Sequence, residues 1–136
     1  MVNLESIELR MLAASAALGI VHLLLAVQFS VATRGLRWGV GPRDEPAPPL
    51  GIVAARFERA YKNFLETFPF FVAAVVVCVA LERHTAMTAL GAQLYFWGRV
   101  AYLPLYAAGL PWVRTIAWTG ALAGIAMVLA GGAFGG

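Results

Sequence analysis

Apolar and polar positions fall along this chain in long blocks. Met11 to Thr33 carries no charge, and at about 1.5 Å per helical residue it is long enough to cross a hydrocarbon layer of roughly 30 Å. With the residues just before it, this block predicts a first helix over 7–33. The tail ahead of it, with Glu5 and Glu8, leads into an apolar stretch too long for a signal peptide's core, so the helix is read as retained. Arg34 to Leu50 is a polar loop, because Pro46, Pro48 and Pro49 cannot continue a helix. A second helix is predicted over 52–82, its first half holding Arg56, Glu58, Arg59, Lys62, Asn63 and Glu66 and its second half, Phe68 to Leu81, purely apolar. Glu82, Arg83 and His84 form a turn. A third helix over 85–108 is interrupted by Arg99 and Pro104, and a fourth over 111–133 starts with Pro111 in its first turn.

Composition fixes the solvent of these helices. Of 136 residues, 61% are hydrophobic and 12% charged, and the mean hydropathy is +0.78. A domain this small cannot hide so much apolar surface from water, whereas a bilayer accepts it. The expected fold is an all-α integral membrane protein, a bundle of four transmembrane helices forming one membrane domain over 1–136. The net charge of +3 comes from scattered arginines rather than a basic stripe, so nucleic acid is not implied. Arg34, Arg37 and Arg43 in the first loop, with Arg56 just beyond, set that loop on the cytoplasmic side and both termini outside. Short loops and a residue usage typical of GC-rich coding point to a bacterial inner membrane.

That topology brings every unusual charge into one half of the bilayer. Arg59, Asn63 and Glu66 recur at i, i+4, i+7 on one face of the second helix; Arg99, Tyr102 and Tyr106 recur at i, i+3, i+7 on the third. Arg114 and Thr115 follow in the first turn of the fourth, where free N–H groups and the helix dipole also favour an anion. An arginine deep in a membrane helix costs about 2.5 to 3.5 kcal/mol, so such residues default to a functional reading. The alternative is a structural ion-pair network around Glu66 with Arg99 reaching for the interface. Against it, the arginines outnumber Glu66 and leave cationic groups open to a carboxylate-bearing guest.

Other polar residues carry less. Cys78 stands alone, which leaves neither a disulfide framework nor a cysteine-based metal site, and it reads as packing. His22 lacks a second ligand at i+3 or i+4 and reads as an interhelical hydrogen bond; no metal is expected. His84 belongs to a turn. Trp38, Trp97, Trp112 and Trp118 lie mostly near segment ends as an interfacial belt would place them, and Gly120-x-x-x-Gly124 reads as a close-packing motif. Asp44 and Glu45 are loop surface.

Arg59-x-x-x-Asn63-x-x-Glu66-x-x-Pro69, within RAYKNFLETFP, and Arg99-x-x-Tyr102-x-x-x-Tyr106 followed by Gly109, Pro111 and Arg114, within RVAYLPLYAAGLPWVR, coincide with the four apolar segments. In these motifs the chain resembles the MAPEG proteins, the membrane-associated proteins in eicosanoid and glutathione metabolism, over essentially its whole length. The resemblance implies a homotrimer with glutathione sites between neighbouring subunits, open to the cytoplasm. Carried over residue by residue, it implies that Arg59, Asn63, Glu66, Arg99, Tyr102 and Tyr106 hold glutathione and that Arg114 lies at its thiol. Arg34, at the end of the first helix, matches a further arginine of the family, with Arg37 a competing match.

Glutathione offers two carboxylates, an ammonium, a thiol and peptide groups. Arginine forks suit the carboxylates, Glu66 the ammonium, and Asn63 and the tyrosines the peptide groups. A thiol with pKa near 8.5 is mostly protonated at neutral pH, so Arg114, with Thr115 or Tyr106 as hydroxyl donor, would hold the thiolate that attacks an apolar electrophile. The reaction expected is thioether conjugation or lipid hydroperoxide reduction, with glutathione as co-substrate. The rival readings are a non-catalytic lipid-binding scaffold of the same family and a small transporter coupled through Glu66. A scaffold has no need of a thiol-activating cation, and arginines around the acid of a carrier would hinder its proton coupling.

Overall fold

The computed structural model describes residues 6–135, so Glu5 and the extreme ends of the expected 1–136 domain lie outside the described residues. Ser6 accepts a hydrogen bond from the Leu9 N–H and starts α1 (Ile7–Arg34). Gly35, at φ +91°, ends it by donating to the Val31 carbonyl, and α2 (Leu36–Val40) follows at once. Then come α3 (Ile52–Ala80), α4 (Ala86–Ala107) and α5 (Pro111–Phe134). α2 lies inside the stretch read as loop; five residues are too few to show a helical period. The second long helix stops at Ala80, short of the expected 82, because Leu81, Glu82 and Arg83 turn their N–H groups back onto its last carbonyls.

Successive long helices run in opposite directions. The start of α1 meets the turn between α3 and α4 through Glu8 and His84, the start of α3 meets the end of α4 through Arg56 and the Ala107 carbonyl, and Arg83 reaches the Ala133 carbonyl near the end of α5. The main core is built by Phe71, Val75 and Cys78 of α3, Ala92 and Tyr95 of α4, and Ala121, Ile125 and Val128 of α5. α4 and α5 approach at backbone distance. A Cβ on Gly91 would fall 2.7 Å from the Gly124 carbonyl oxygen, and one on Gly98 3.0 Å from that of Ala117. Of the expected Gly120/Gly124 pair only Gly124 makes this contact, since Gly120 faces open space.

Among the described residues three helices, α1, α3 and α5, are long and apolar enough to cross a membrane. α4, expected as a fourth span, does not reach that hydropathy, because Gln93, Tyr95, Arg99, Tyr102 and Tyr106 dilute it. Its polar side chains turn inward: Tyr95 and Arg99 are fully buried. Meanwhile Ile20, Leu24, Ile52, Phe70 and Ile116 point outward and are exposed. An inward-polar, outward-apolar bundle is stable only where the surrounding solvent is hydrocarbon, and the chain is an integral membrane protein.

Candidate functional site

The site lies at the end of the bundle where α3 and α5 begin and α4 ends. α4 closes in a glycine motif: the Gly109 N–H donates to the Tyr106 carbonyl and the Leu110 N–H to that of Leu105, with Gly109 at φ +77°. That left-handed residue lets the chain reverse within three residues into Pro111, which suits the first turn of α5. The reversal sets Arg114 beside Tyr106. Arg56 braces it from α3, with Nη1 donating to the Ala107 carbonyl at 3.1 Å and the guanidinium packed so closely on Gly109 that a Cβ there would lie 2.8 Å from Nη2. Arg56 shares the stripe of Arg59 but is occupied by the backbone.

Two tyrosines one turn apart form the centre, Tyr102 and Tyr106, their rings 5.5 Å apart and tilted by 47°. Three guanidinium groups converge on them. Arg99 sits 4.2 Å from the Tyr102 ring centroid, and Arg114 and Arg59 sit 4.4 and 5.8 Å from that of Tyr106. Such stacking holds a cation while leaving its N–H edges for another acceptor. Arg59 Nε donates to the Tyr106 hydroxyl at 2.9 Å, and Arg99 Nη1 donates to Asn63 Oδ1 at 2.7 Å. Arg99 is 0% exposed, yet its Nε and Nη2 have no partner among the described residues. A buried guanidinium with two idle donors is costly unless something else accepts from them.

Glu66 does not neutralise these cations. Among the described residues the ion pairs within 4.0 Å join Lys62 to Glu58 and His84 to Glu8. Glu66 is exposed but close enough to interact electrostatically with Arg99 and Tyr102. The ion-pair network weighed as the structural alternative is therefore not formed around it.

A cavity of about 200 Å³ opens between α3, α4 and α5, lined by Asn63, Tyr102, Tyr106, Arg114, Thr115 and Trp118. Ligand pockets usually measure roughly 300 to 1,000 Å³, and this cavity is smaller than that range. The Thr115 hydroxyl donates to the Pro111 carbonyl at 2.8 Å. Among the described residues no side chain caps the start of α5, which leaves its first N–H groups open to an anion. Trp118, read as an interfacial anchor, lines the cavity, and its indole N–H has no partner among the described residues. Its position seven residues past Pro111, on the face of Arg114 and Thr115, was the signal for that placement.

Arg34 lies elsewhere in the single chain. Its Nε donates to the Pro48 carbonyl at 2.7 Å, and its guanidinium stacks on Trp38 at 4.9 Å. With Arg37, Trp38 and Arg43 it borders a separate crevice of about 500 Å³, so both helix-one candidates stand apart from the other six positions. His22 also departs from expectation. Neither ring nitrogen has a hydrogen-bond partner among the described residues, and the ring stacks on Phe64 at 5.0 Å. Cys78, read as packing, lies near Glu8 and His84.

No protein of curated function matches the chain. The model of the MAPEG family, in contrast, matches residues 11–134, from the first turns of α1 to the end of α5, and on that match over nearly the whole chain the protein belongs to the MAPEG family.

Proposed function

We propose that the protein is a glutathione-dependent membrane transferase, with hydroperoxide reduction as a second reaction of the same thiolate. The observation that carries this reading is the meeting of Arg59, Arg99 and Arg114 on two tyrosines beside a cavity, with no carboxylate within 4.0 Å of any of them among the described residues. Three unneutralised guanidinium groups call for a polyanionic guest, and a tripeptide with two carboxylates and an ionisable thiol matches their number.

In this reading Arg59 and Arg99 take the carboxylates, Glu66 takes the ammonium, and Asn63 and Tyr102 take the peptide groups. Arg114 faces the sulfur, and its charge, reinforced by the open start of α5, favours the thiolate. In conjugation the sulfur forms a C–S bond with an apolar electrophile from the lipid while the leaving group departs with its electron pair. In hydroperoxide reduction two glutathiones become one disulfide, and the peroxide becomes an alcohol and water. The partial cavity supports a homotrimer in which a neighbouring subunit completes each site, and the arginine-rich loop supports a site facing the cytoplasm of a bacterial cell.

The test is the ultraviolet absorbance of glutathione thiolate on adding glutathione to the purified protein, followed by conjugation of a chromogenic aryl halide. The wild-type protein should give both signals, and Arg114→Ala should lose the first and reduce the second by about 100-fold or more. Glutathione that does not bind, or a thiolate signal unchanged in Arg114→Ala, overturns the assignment.

A further inference from the structure

At the opposite end of the bundle three chemically different side chains meet from distant parts of the sequence. Glu8 lies in the first turn of α1, Cys78 near the end of α3 and His84 in the turn before α4, and their donor atoms all lie within 4.8 Å of one another. Glu8 is 2% exposed and Cys78 0%, while the His84 side chain keeps 28% of its surface. His84 Nδ1 stands 3.2 Å from Glu8 Oε2 and 3.8 Å from Cys78 Sγ. The other carboxylate oxygen of Glu8 accepts from the Thr88 hydroxyl, and Thr88 is itself fixed by its reciprocal hydrogen bonds with Thr85 at the start of α4.

A thiol, an imidazole and a carboxylate can form either a proton relay or a ligand set. In a relay the histidine uses both ring nitrogens, one toward the thiol and one toward the acid. Here one nitrogen, Nδ1, faces both, so the donors converge on a point instead of forming a line. Donors around a tetrahedral zinc at about 2.0 to 2.3 Å from the metal stand about 3.3 to 3.8 Å apart. Both separations from Nδ1 fall close to that spacing. As it stands the Glu8 carboxylate is paired with His84 and the Cys78 thiol donates to the Arg83 carbonyl at 3.0 Å; a divalent cation would take the place of the thiol proton and sit between the three donors.

We propose that Glu8, Cys78 and His84 form a site for a divalent cation of the zinc class. The mixed sulfur, nitrogen and oxygen donors select a borderline-soft metal over calcium or magnesium. The fourth position falls to water on the solvent-facing side of His84, and Thr88 orients the carboxylate. The cation would clasp the start of α1 to the α3–α4 turn, and binding only the folded chain it would stabilise the bundle by mass action. This inference is independent of the glutathione reading.

The experiment uses the full chain in detergent, free of any affinity tag and stripped with a chelator. Zinc chloride is titrated against a chromophoric competitor, and cobalt(II) serves as the spectroscopic probe. The expected result is one zinc per chain, a thiolate-to-cobalt charge-transfer band, and a higher unfolding temperature with zinc. Cys78→Ser should abolish the band and weaken zinc binding by about tenfold or more, and His84→Gln, on a partly exposed turn, should weaken it comparably. Helix content checks that each variant folds; if Cys78→Ser does not, His84→Gln and the wild-type cobalt spectrum decide. No zinc uptake by the stripped wild type, no thiolate band, or equal binding by the folded variants overturns the proposal and leaves a hydrogen-bonded cluster.

Discussion

Two hydroxyls border the cavity, and their hydrogen bonds separate them. Thr115 spends its proton on the Pro111 carbonyl one turn back, so toward the cavity it offers only lone pairs. The Tyr106 oxygen instead accepts from Arg59 Nε, which leaves its own proton free to point elsewhere. A thiolate needs donors, and of the two groups Tyr106 is the one with a proton to give. Tyr106→Phe should therefore raise the pKa of bound glutathione and move the acid limb of the kcat profile, at saturating glutathione, toward higher pH, because a thiolate that loses a donor is held less firmly. Thr115→Val should leave the limb in place. A shift of one unit corresponds to about 1.4 kcal/mol, near the worth of one such bond. Equal profiles for the two variants would return the roles to Arg114 alone. Much of the site was legible at this scale, since Arg59, Asn63 and Glu66 announce a shared face by spacing alone. Glu8, Cys78 and His84 did not, because no local period links positions that only the fold brings together.

α1 shows how the elements solve their packing problem. Its buried residues are Glu8, Ser15 and His22, one every seventh position, so one seam of an apolar helix carries its polar groups inward. The rest of the surface faces outward, with Ile20 and Leu24 both more than half exposed. Length and hydropathy were enough to find the long helices, but they could not assign α1 its inner face, since an apolar helix has no visible stripe. α4 and α5 pack through their missing side chains. Gly91→Ala would drive a Cβ against the Gly124 carbonyl and the Met127 Cβ, at 2.7 and 2.8 Å, neither of which is the end of a flexible chain. Overpacking of this kind costs about 1 to 3 kcal/mol, more than the roughly 1 kcal/mol that alanine gains over glycine in a helix. The unfolding temperature in detergent should fall for Gly91→Ala and hold or rise for Gly120→Ala, whose site is open. Because α4 also carries Arg99 and both site tyrosines, the first variant should weaken glutathione binding as well. If Gly91→Ala proves as stable as Gly120→Ala, the close approach of the two helices is not what holds α4.

At the scale of the molecule, the candidate positions border two separate crevices. The cavity around Tyr102 and Tyr106 is about 200 Å³, while Arg34, implied by the family resemblance as a glutathione ligand, stands in another crevice with Trp38 and Arg37. No pattern in one sequence could say which chain an arginine serves, because spacing records neighbours along a helix and not across subunits. If the protein is a cyclic trimer, both facts have one cause: the Arg34 face of each protomer completes the cavity of the next. Arg34→Ala and Arg114→Ala should then each abolish conjugation when expressed alone. Expressed together in equal amounts, they should recover it, because an Arg34→Ala protomer keeps its own Arg114 and can borrow Arg34 from an Arg114→Ala neighbour. With random assembly about one interface in four carries both wild-type halves, so activity should return to about a quarter of the wild-type value. A site contained within one chain predicts no recovery at any mixing ratio, since every chain in the mixture carries one of the two lesions. The same experiment with Arg37→Ala in place of Arg34→Ala tells which arginine crosses the interface, as only the residue that binds glutathione gives an inactive parent for the mixture to rescue.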